Sequence, residues 1–423
     1  MPPNELAQIL PGAARHTSGT KDGPRRFLPY GRQTIEPDDV ASVVAVLQSD
    51  WLTTGPRLDA FERALAGAVG APYAVAVSSG TAALHAACFA AGIEPGEQVI
   101  VPAIGFLATA NCVRYLGGEP VFADVDPETG LLRPEDVARV AGPGRRVAIP
   151  VHLGGMPADV EGVRAALGQD DAVVIEDAAH ALGARGSPRP GAPDPDWVGS
   201  CRASQFAIFS FHPLKAITTG EGGAVTTHDP ELARRVRLFR NHGIERDPAR
   251  MLQRSPGPWA YEQHALGHNL RMSEIQAALG LSQLPKLGRF VARRRALAQR
   301  YDALLAQVPE VVPGVPATAR ARNAWHLYPV RIDFEGLAVA RAELMRALSA
   351  RGIGTQVHYI PLPLQPYYAD RGARAADHPG ARRYYECTLS LPLFPGMEDG
   401  DPERVVTELS KCLRTLAGRG AVA

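Results

Sequence analysis

Between about Ala71 and Asp229, short apolar runs alternate with longer stretches of mixed pattern. Seven runs stand out in order: YAVAVSSG, EQVIVP, EPVFADVD, RRVAIPVHLGG, DAVVIEDAAH, SQFAIFSF and GGAVTTHD. They are continuous and rich in β-branched residues rather than alternating, the pattern of strands covered on both faces. The segments between them read as helices. TAALHAACFAAG is apolar on nearly every side and ends at Gly92, and PEDVARVA carries Pro134 at its start, where a fixed φ suits the first turn. Strand–helix–strand alternation of this kind predicts an α/β fold with a seven-stranded, mostly parallel sheet.

After Ser273 the period changes. SEIQAALGLSQLPKLGRFVARRRALAQRYDALLAQV reads as one long helical stretch with Phe290, Val291, Leu297, Tyr301 and Leu305 on its apolar side. A kink is expected at Pro285, which removes a donor and crowds the preceding turn. The arginines of ARRRALAQR are expected on the solvated face. HLYPVRIDF and TQVHYIPL read as strands, with ARAELMRALSARG as a helix between them, so a smaller C-terminal α+β unit follows the large one. The expected division is a poorly ordered leader over 1–27, a large domain over 28–285 and a small domain over 286–423. The leader lacks the basic start and apolar run of a signal peptide. GSPRPGAPDPDWVGS, residues 186–200, reads as a surface insertion.

Composition narrows the function classes. With 45 Lys+Arg against 44 Asp+Glu the net charge is +1, which gives no ground for a nucleic-acid partner and favours small-molecule chemistry. No apolar run reaches the ~18 residues of a membrane span. The five cysteines, Cys88, Cys112, Cys201, Cys387 and Cys412, are scattered and form no CxxC, so a reducing cytoplasm and no metal site are expected. Cys88, Cys112 and His85 read as core residues, the histidine with its hydrogen bonds met.

In parallel α/β sheets, ligands bind beyond the carboxyl ends of the strands. The first run ends in Ser79, Gly80 and Thr81 as a helix opens, and backbone amides with a hydroxyl at such a start suit a phosphate. Ordinary capping explains the same residues. Neither a GxGxxG nor a GxxxxGK[ST] motif is present to suggest a dinucleotide or P-loop site. The apolar run of DAVVIEDAAH closes at Asp177, with His180 three residues on; a carboxylate there needs a cationic or hydrogen-bonding partner, unless it only caps a helix. Ser210 ends SQFAIFS, and Lys215 follows five residues later. A desolvated lysine is a nucleophile, whereas a lone lysine on a loop is ordinarily solvated. Phe106 follows the second run and offers an aromatic face. Together these are the parts pyridoxal 5′-phosphate requires: an amine to bond its aldehyde, a carboxylate for its ring nitrogen, a phosphate cup and a stacking face.

From Leu28 to Leu416 the chain resembles the DegT/DnrJ/StrS-type sugar-nucleotide aminotransferases, a fold-type I pyridoxal phosphate family. DWLTTGPRLDAFERALAGAVGAPYAVAVSSGTAALHAA, VIEDAAHALGA, FSFHPLKAITTGEGGAV and LGHNLRMSEIQAALGLSQL carry the likeness, with AWHLYPVRI, GIGTQVHYIPLPLQPYY and LSLPLFPGM. Its loops are most similar to the branch that makes UDP-4-amino-4,6-dideoxy-N-acetyl-β-L-altrosamine for pseudaminic acid.

The resemblance implies that Lys215 bonds the cofactor and shuttles a proton, that Asp177 pairs with the ring nitrogen, and that His180 lies near the phenolic oxygen. It implies Phe106 as the stacking face, and Gly80, Thr81 and Ser210 as phosphate ligands. Asn269 would complete that site from the other subunit of a homodimer, and His326, His358 and Tyr359 would face substrate. The small residues of TTGEGG, Thr218 and Thr219 among them, are expected to leave room for the sugar nucleotide. The implied reaction moves the amino group of L-glutamate to C4 of a UDP-4-keto-6-deoxy-N-acetylhexosamine. The alternatives are another UDP-, GDP- or dTDP-linked ketosugar, or a non-enzymatic relative. The related dehydratases carry histidine where this chain has Lys215.

Overall fold

The computed structural model describes residues 26–143, 146–186, 196–253 and 256–420. Most of the expected leader, and residues 187–195 of the expected insertion, lie outside the described residues. All seven expected strands form: β1 (Tyr73–Val77), β2 (Gln98–Pro102), β3 (Glu119–Ala123), β4 (Val147–Ala148), β5 (Val173–Asp177), β6 (Phe206–Ser210) and β7 (Gly223–Thr227). They join in one sheet of order β1-β7-β6-β5-β4-β2-β3. The run from β6 to β3 is parallel throughout, and β7 lies antiparallel to both of its neighbours, β1 and β6. The sheet is thus mostly parallel.

Helices cover both faces, which is why the strands read as unbroken apolar runs. Ahead of β1 come α1 (Pro37–Leu47) and α2 (Pro56–Val69); the crossovers are α3 (Gly80–Ala90), α4 (Leu107–Tyr115), α5 (Pro134–Val140) and α6 (Val160–Leu167), and α7 (Pro230–Arg240) follows β7. Val75, Val77, Val101 and Ile208 turn to one face, against α3, α4 and α7. Ala74, Ala76 and Phe209 turn to the other, against α2, while Ile100, Ala148 and Val174 meet α5 and α6. Burying each valine or isoleucine fully is worth roughly 1.5–3 kcal/mol, so both faces hold the sheet.

The long helical stretch is broken where Pro285 stands. α8 (Glu274–Gln283) passes through a 3₁₀ turn, Leu284–Lys286, into α9 (Leu287–Leu305). The start of α9 packs Phe290 against the large sheet's cluster, and its later turns bury Leu297, Tyr301 and Leu305 in a second cluster. That cluster surrounds an antiparallel sheet of β10 (Val311–Pro313), β11 (Tyr328–Ile332) and β12 (Thr388–Leu391), flanked by α10 (Arg341–Ala350) and α11 (Asp401–Gly420). Leu28 belongs to it too and bridges to Ile353.

Four expectations need correction. TQVHYIPL is not a strand: among the described residues its backbone pairs with the small sheet through the Gln356–Ser390 bridge alone, and Pro361 offers no donor to extend the ladder. Arg294 is not on a solvated face. It is buried, and its Nη1 donates to the carbonyls of Leu393 (2.9 Å), Trp325 and His326 (both 3.4 Å), tying α9 to the segments beside β11 and β12. His85 packs against Phe239 and His268, but its Nε2 has no hydrogen-bond partner among the described residues, and burial lowers its pKa to about 4. Thr218 and Thr219 are buried in the turn after Lys215 rather than facing ligand space. All five cysteines are buried and free. No helix among the described residues is long and apolar enough to cross a membrane.

Candidate active site

The carboxyl ends of β5 and β6 and the start of α3 converge on one cavity of about 610 Å³. Such a volume suits a cofactor together with part of a substrate. Ser79 caps α3, its Oγ accepting from the Ala82 amide at 3.1 Å, and the Ala83 amide makes the first helical bond, to Ser79. The amides of Gly80 and Thr81 lie ahead of that bond, at the positive end of the helix, in the manner of an anion site. Ser210 stands across from them. A Cβ on Gly80 would lie 2.8 Å from Ser210 Cβ, so the two segments approach as closely as they do only because residue 80 is glycine. This narrow cup of amides and hydroxyls fits a phosphate.

Lys215 sits in a loop closed on itself. Phe211 N–H donates to the carbonyl of Gly222 (2.8 Å), and Thr219 N–H to the carbonyl of Phe211 (3.0 Å). Thr218 Oγ1 donates to that same carbonyl at 3.0 Å and accepts from the Gly220 amide at 2.9 Å. Gly220 turns with φ +80°, a conformation that glycine adopts without strain. The two threonines therefore knot the turn that holds the lysine. Burial lowers the Lys215 pKa to about 8, against the pull of Asp177, which favours the charged amine.

Asp177 is 5% exposed at the end of β5. Burial raises its pKa; a bond from Thr109 Oγ1 to Oδ2 (2.7 Å) and one from the Ala179 amide to Oδ1 (3.2 Å) act the other way. Phe106, the N-cap of α4, is 55% exposed and borders the same cavity, so its ring face is open to a planar ligand.

Several neutral, hydrogen-bonding side chains share the cavity with these groups. The Gly154 amide donates to His180 Nδ1 (3.2 Å), which puts the ring proton on Nε2, where it meets Tyr359 Oη at 3.2 Å. Burial holds the pKa of His180 and His326 well below the ordinary value and that of His358 at about 3, and the nearby Lys215 amine adds to each shift. His358 Nδ1 lies 2.8 Å from Ser390 Oγ, and the rings of His180 and His326 are 4.2 Å apart. All these imidazoles are uncharged near neutral pH.

Gly80, Thr81, Phe106, Asp177, His180, Ser210, Lys215, His326, His358 and Tyr359 all border the one cavity. Asn269 does not. It is exposed at the surface, bridged to Asn241, beyond the hairpin of β8 (Ile244–Glu245) and β9 (Glu262–Gln263). Sequence reasoning passed over Tyr30 and His212, which also border the cavity, and Thr109 behind Asp177. Thr109 lies one helical turn beyond Phe106, and nothing in the sequence pairs it with Asp177.

A buried carboxylate, a lysine with a depressed pKa, an amide cup and an open aromatic face are the fittings of a pyridoxal 5′-phosphate aminotransferase, and the fold is that of the class. Residues 33–410 match the DegT/DnrJ/EryC1/StrS aminotransferase family. The chain belongs to this family of pyridoxal 5′-phosphate-dependent enzymes. It is 39% identical over 383 residues to the spore coat polysaccharide biosynthesis protein SpsC of Bacillus subtilis, covering 90% of this chain and 95% of that one. Among solved structures, PseC of Helicobacter pylori, an aminotransferase involved in pseudaminic acid biosynthesis, superposes with a TM-score of 0.82 at 28% identity, over 92% of this chain and 100% of PseC. A Streptococcus pneumoniae protein described as a sugar aminotransferase, Spr1654, matches in its pyridoxal phosphate form with a TM-score of 0.81 at 26% identity, over 92% of this chain and 99% of that one.

Proposed function

We propose that this aminotransferase moves the amino group of L-glutamate to C4 of a UDP-linked 4-keto-6-deoxy-N-acetylhexosamine. The observation that carries the reading is the make-up of the cavity's lining. Besides Lys215 and Asp177, the lining carries Tyr30, His326, His358 and Tyr359, uncharged donors and acceptors suited to the hydroxyls and amide of a sugar.

When bound, the cofactor supplies an electron sink that stabilises negative charge at the carbon bearing the amino group. Asp177 would keep the ring nitrogen protonated, Phe106 would offer the stacking face, and the amides of Gly80 and Thr81, with Ser210, would hold the phosphate. With the cofactor bound, the Lys215 amine would take the proton from Cα of glutamate and hold it for return, and the same amine would deliver a proton at C4 of the sugar. The lysine can act as base only while neutral, which its lowered pKa permits near physiological pH. The amino group is thus exchanged without net oxidation: glutamate leaves as 2-oxoglutarate, and the ketosugar as the amino sugar.

The likeness to PseC supports the β-L-arabino 4-ketosugar and a place in pseudaminic acid synthesis. The higher identity to SpsC supports a second reading, a different nucleotide ketosugar destined for another surface polysaccharide. We also assign Asn269 to the phosphate site of a second copy, because it is exposed here beside Leu266, which is 80% exposed, and away from its own chain's cavity. The free, buried cysteines support a cytoplasmic setting.

The test is 2-oxoglutarate release from glutamate with purified UDP-, dTDP- and GDP-linked 4-ketosugars offered singly. Turnover with the UDP-β-L-arabino compound alone supports the first reading. Turnover with another nucleotide sugar alone supports the second, and no turnover with any of them overturns both.

A further inference from the structure

Asp177 is placed where its charge is hardest to keep. It ends a strand buried on both faces and is itself 5% exposed, so water contributes little to holding the carboxylate ionised. A neutral carboxyl could not keep a pyridine nitrogen protonated. The groups that oppose burial therefore decide whether the residue can serve.

Two hydrogen bonds reach the carboxylate from the protein side. The Ala179 amide reaches Oδ1 at 3.2 Å, and Thr109 Oγ1 reaches Oδ2 at 2.7 Å. The second is the shorter, and it crosses from another element. Thr109 is fully buried at the third residue of α4. Its amide donates to the carbonyl of Phe106 at 3.2 Å, and its own carbonyl accepts from Cys112 Sγ at 3.1 Å, so its backbone is held at both ends. One helical turn thus carries both the aromatic face of the cavity and the hydroxyl behind its carboxylate.

We propose that Thr109 is a positioning residue for the cofactor's ring-nitrogen partner: its hydroxyl fixes Asp177 Oδ2, keeps the carboxylate ionised and directs it into the cavity. The inference rests on the reading of Asp177 as that partner. Valine has nearly the shape of threonine and lacks the donor, so Thr109→Val removes the bond and leaves the packing. A hydroxyl that merely ties α4 to the sheet would change thermal stability alone.

The experiment is spectroscopic titration of the apoprotein with pyridoxal 5′-phosphate, and with the 1-deaza analogue in which CH replaces the ring nitrogen. Wild type, Thr109→Val, Thr109→Ser and Asp177→Asn are compared. Thr109→Val should bind pyridoxal phosphate about tenfold more weakly, the size of one lost hydrogen bond to a charged group. It should bind the deaza analogue as wild type does, and Thr109→Ser should restore the natural cofactor. Equal weakening for both cofactors, or none for either, overturns the role of Thr109. Asp177→Asn separates the two claims. If it keeps the wild-type preference for the natural cofactor, the reading of Asp177 fails. If it loses that preference while Thr109→Val keeps it, only the present inference fails. Should Thr109→Val not fold, Thr109→Ala carries the same comparison.

Discussion

Lys215 is one of four lysines in the chain, with Lys21, Lys286 and Lys411, and burial distinguishes it from an ordinary surface amine. Its pKa of about 8 means that the neutral amine becomes the major form as pH rises through 8, while unperturbed lysines remain charged until about 10.4. In the apoprotein, modification of Lys215 by a small acylating reagent should therefore rise with a midpoint near pH 8, read by peptide mass spectrometry. A midpoint at about pH 10, that of a free lysine, would contradict the burial argument. At this scale much of the site could be read from sequence, because Asp177, Ser210 and Lys215 each sit at or just past a strand end, and strand ends are visible as the close of an apolar run. Thr109 could not, because a hydroxyl inside a helix has no pattern of its own until the carboxylate it meets is placed. Thr218 and Thr219 show the converse: their small size suggested open space, whereas their hydroxyls are spent on the turn.

At the scale of elements, the site depends on β7 returning antiparallel between β1 and β6. Its first residue, Gly223, passes so close to Ser79 and Gly80 that a Cβ would strike their backbone atoms. Backbone cannot give way as a flexible side chain can. Gly223→Ala should therefore cost about 1–3 kcal/mol of stability by overpacking and should also weaken cofactor binding by shifting the phosphate cup. Urea denaturation and cofactor titration check the two parts; unchanged values for both would refute the close approach. The seven strands were legible because burial on two faces leaves unbroken β-branched runs. TQVHYIPL has the same apolar look, but it meets the edge strand β12 through a single bridge and Pro361 offers no donor to extend it, a difference that residue pattern alone does not carry. Arg294 was misplaced for a related reason. Helical spacing puts it beside solvated arginines, while the three carbonyls that receive its hydrogen bonds come from distant segments.

At the scale of the whole molecule, the carboxyl ends of β5 and β6, the starts of α3 and α4, and the segments at His326 and Gln356–Ile360 line a cavity that borders every residue expected at the site except Asn269. If Asn269 serves the neighbouring subunit, Lys215→Ala and Asn269→Ala proteins, each impaired alone, should regain activity when unfolded together and refolded as a mixture. Hybrid dimers would then hold one site with neither substitution. No recovery would place Asn269 outside the shared site.

The claim on which the rest stands is that Lys215 carries the cofactor. Borohydride reduction of the holoenzyme, followed by peptide mapping, tests it directly. The account predicts the pyridoxyl tag on the FHPLKAITTG peptide, at Lys215 alone among the four lysines. A tag on Lys21, Lys286 or Lys411, or a protein that binds the cofactor and takes no tag, would contradict it.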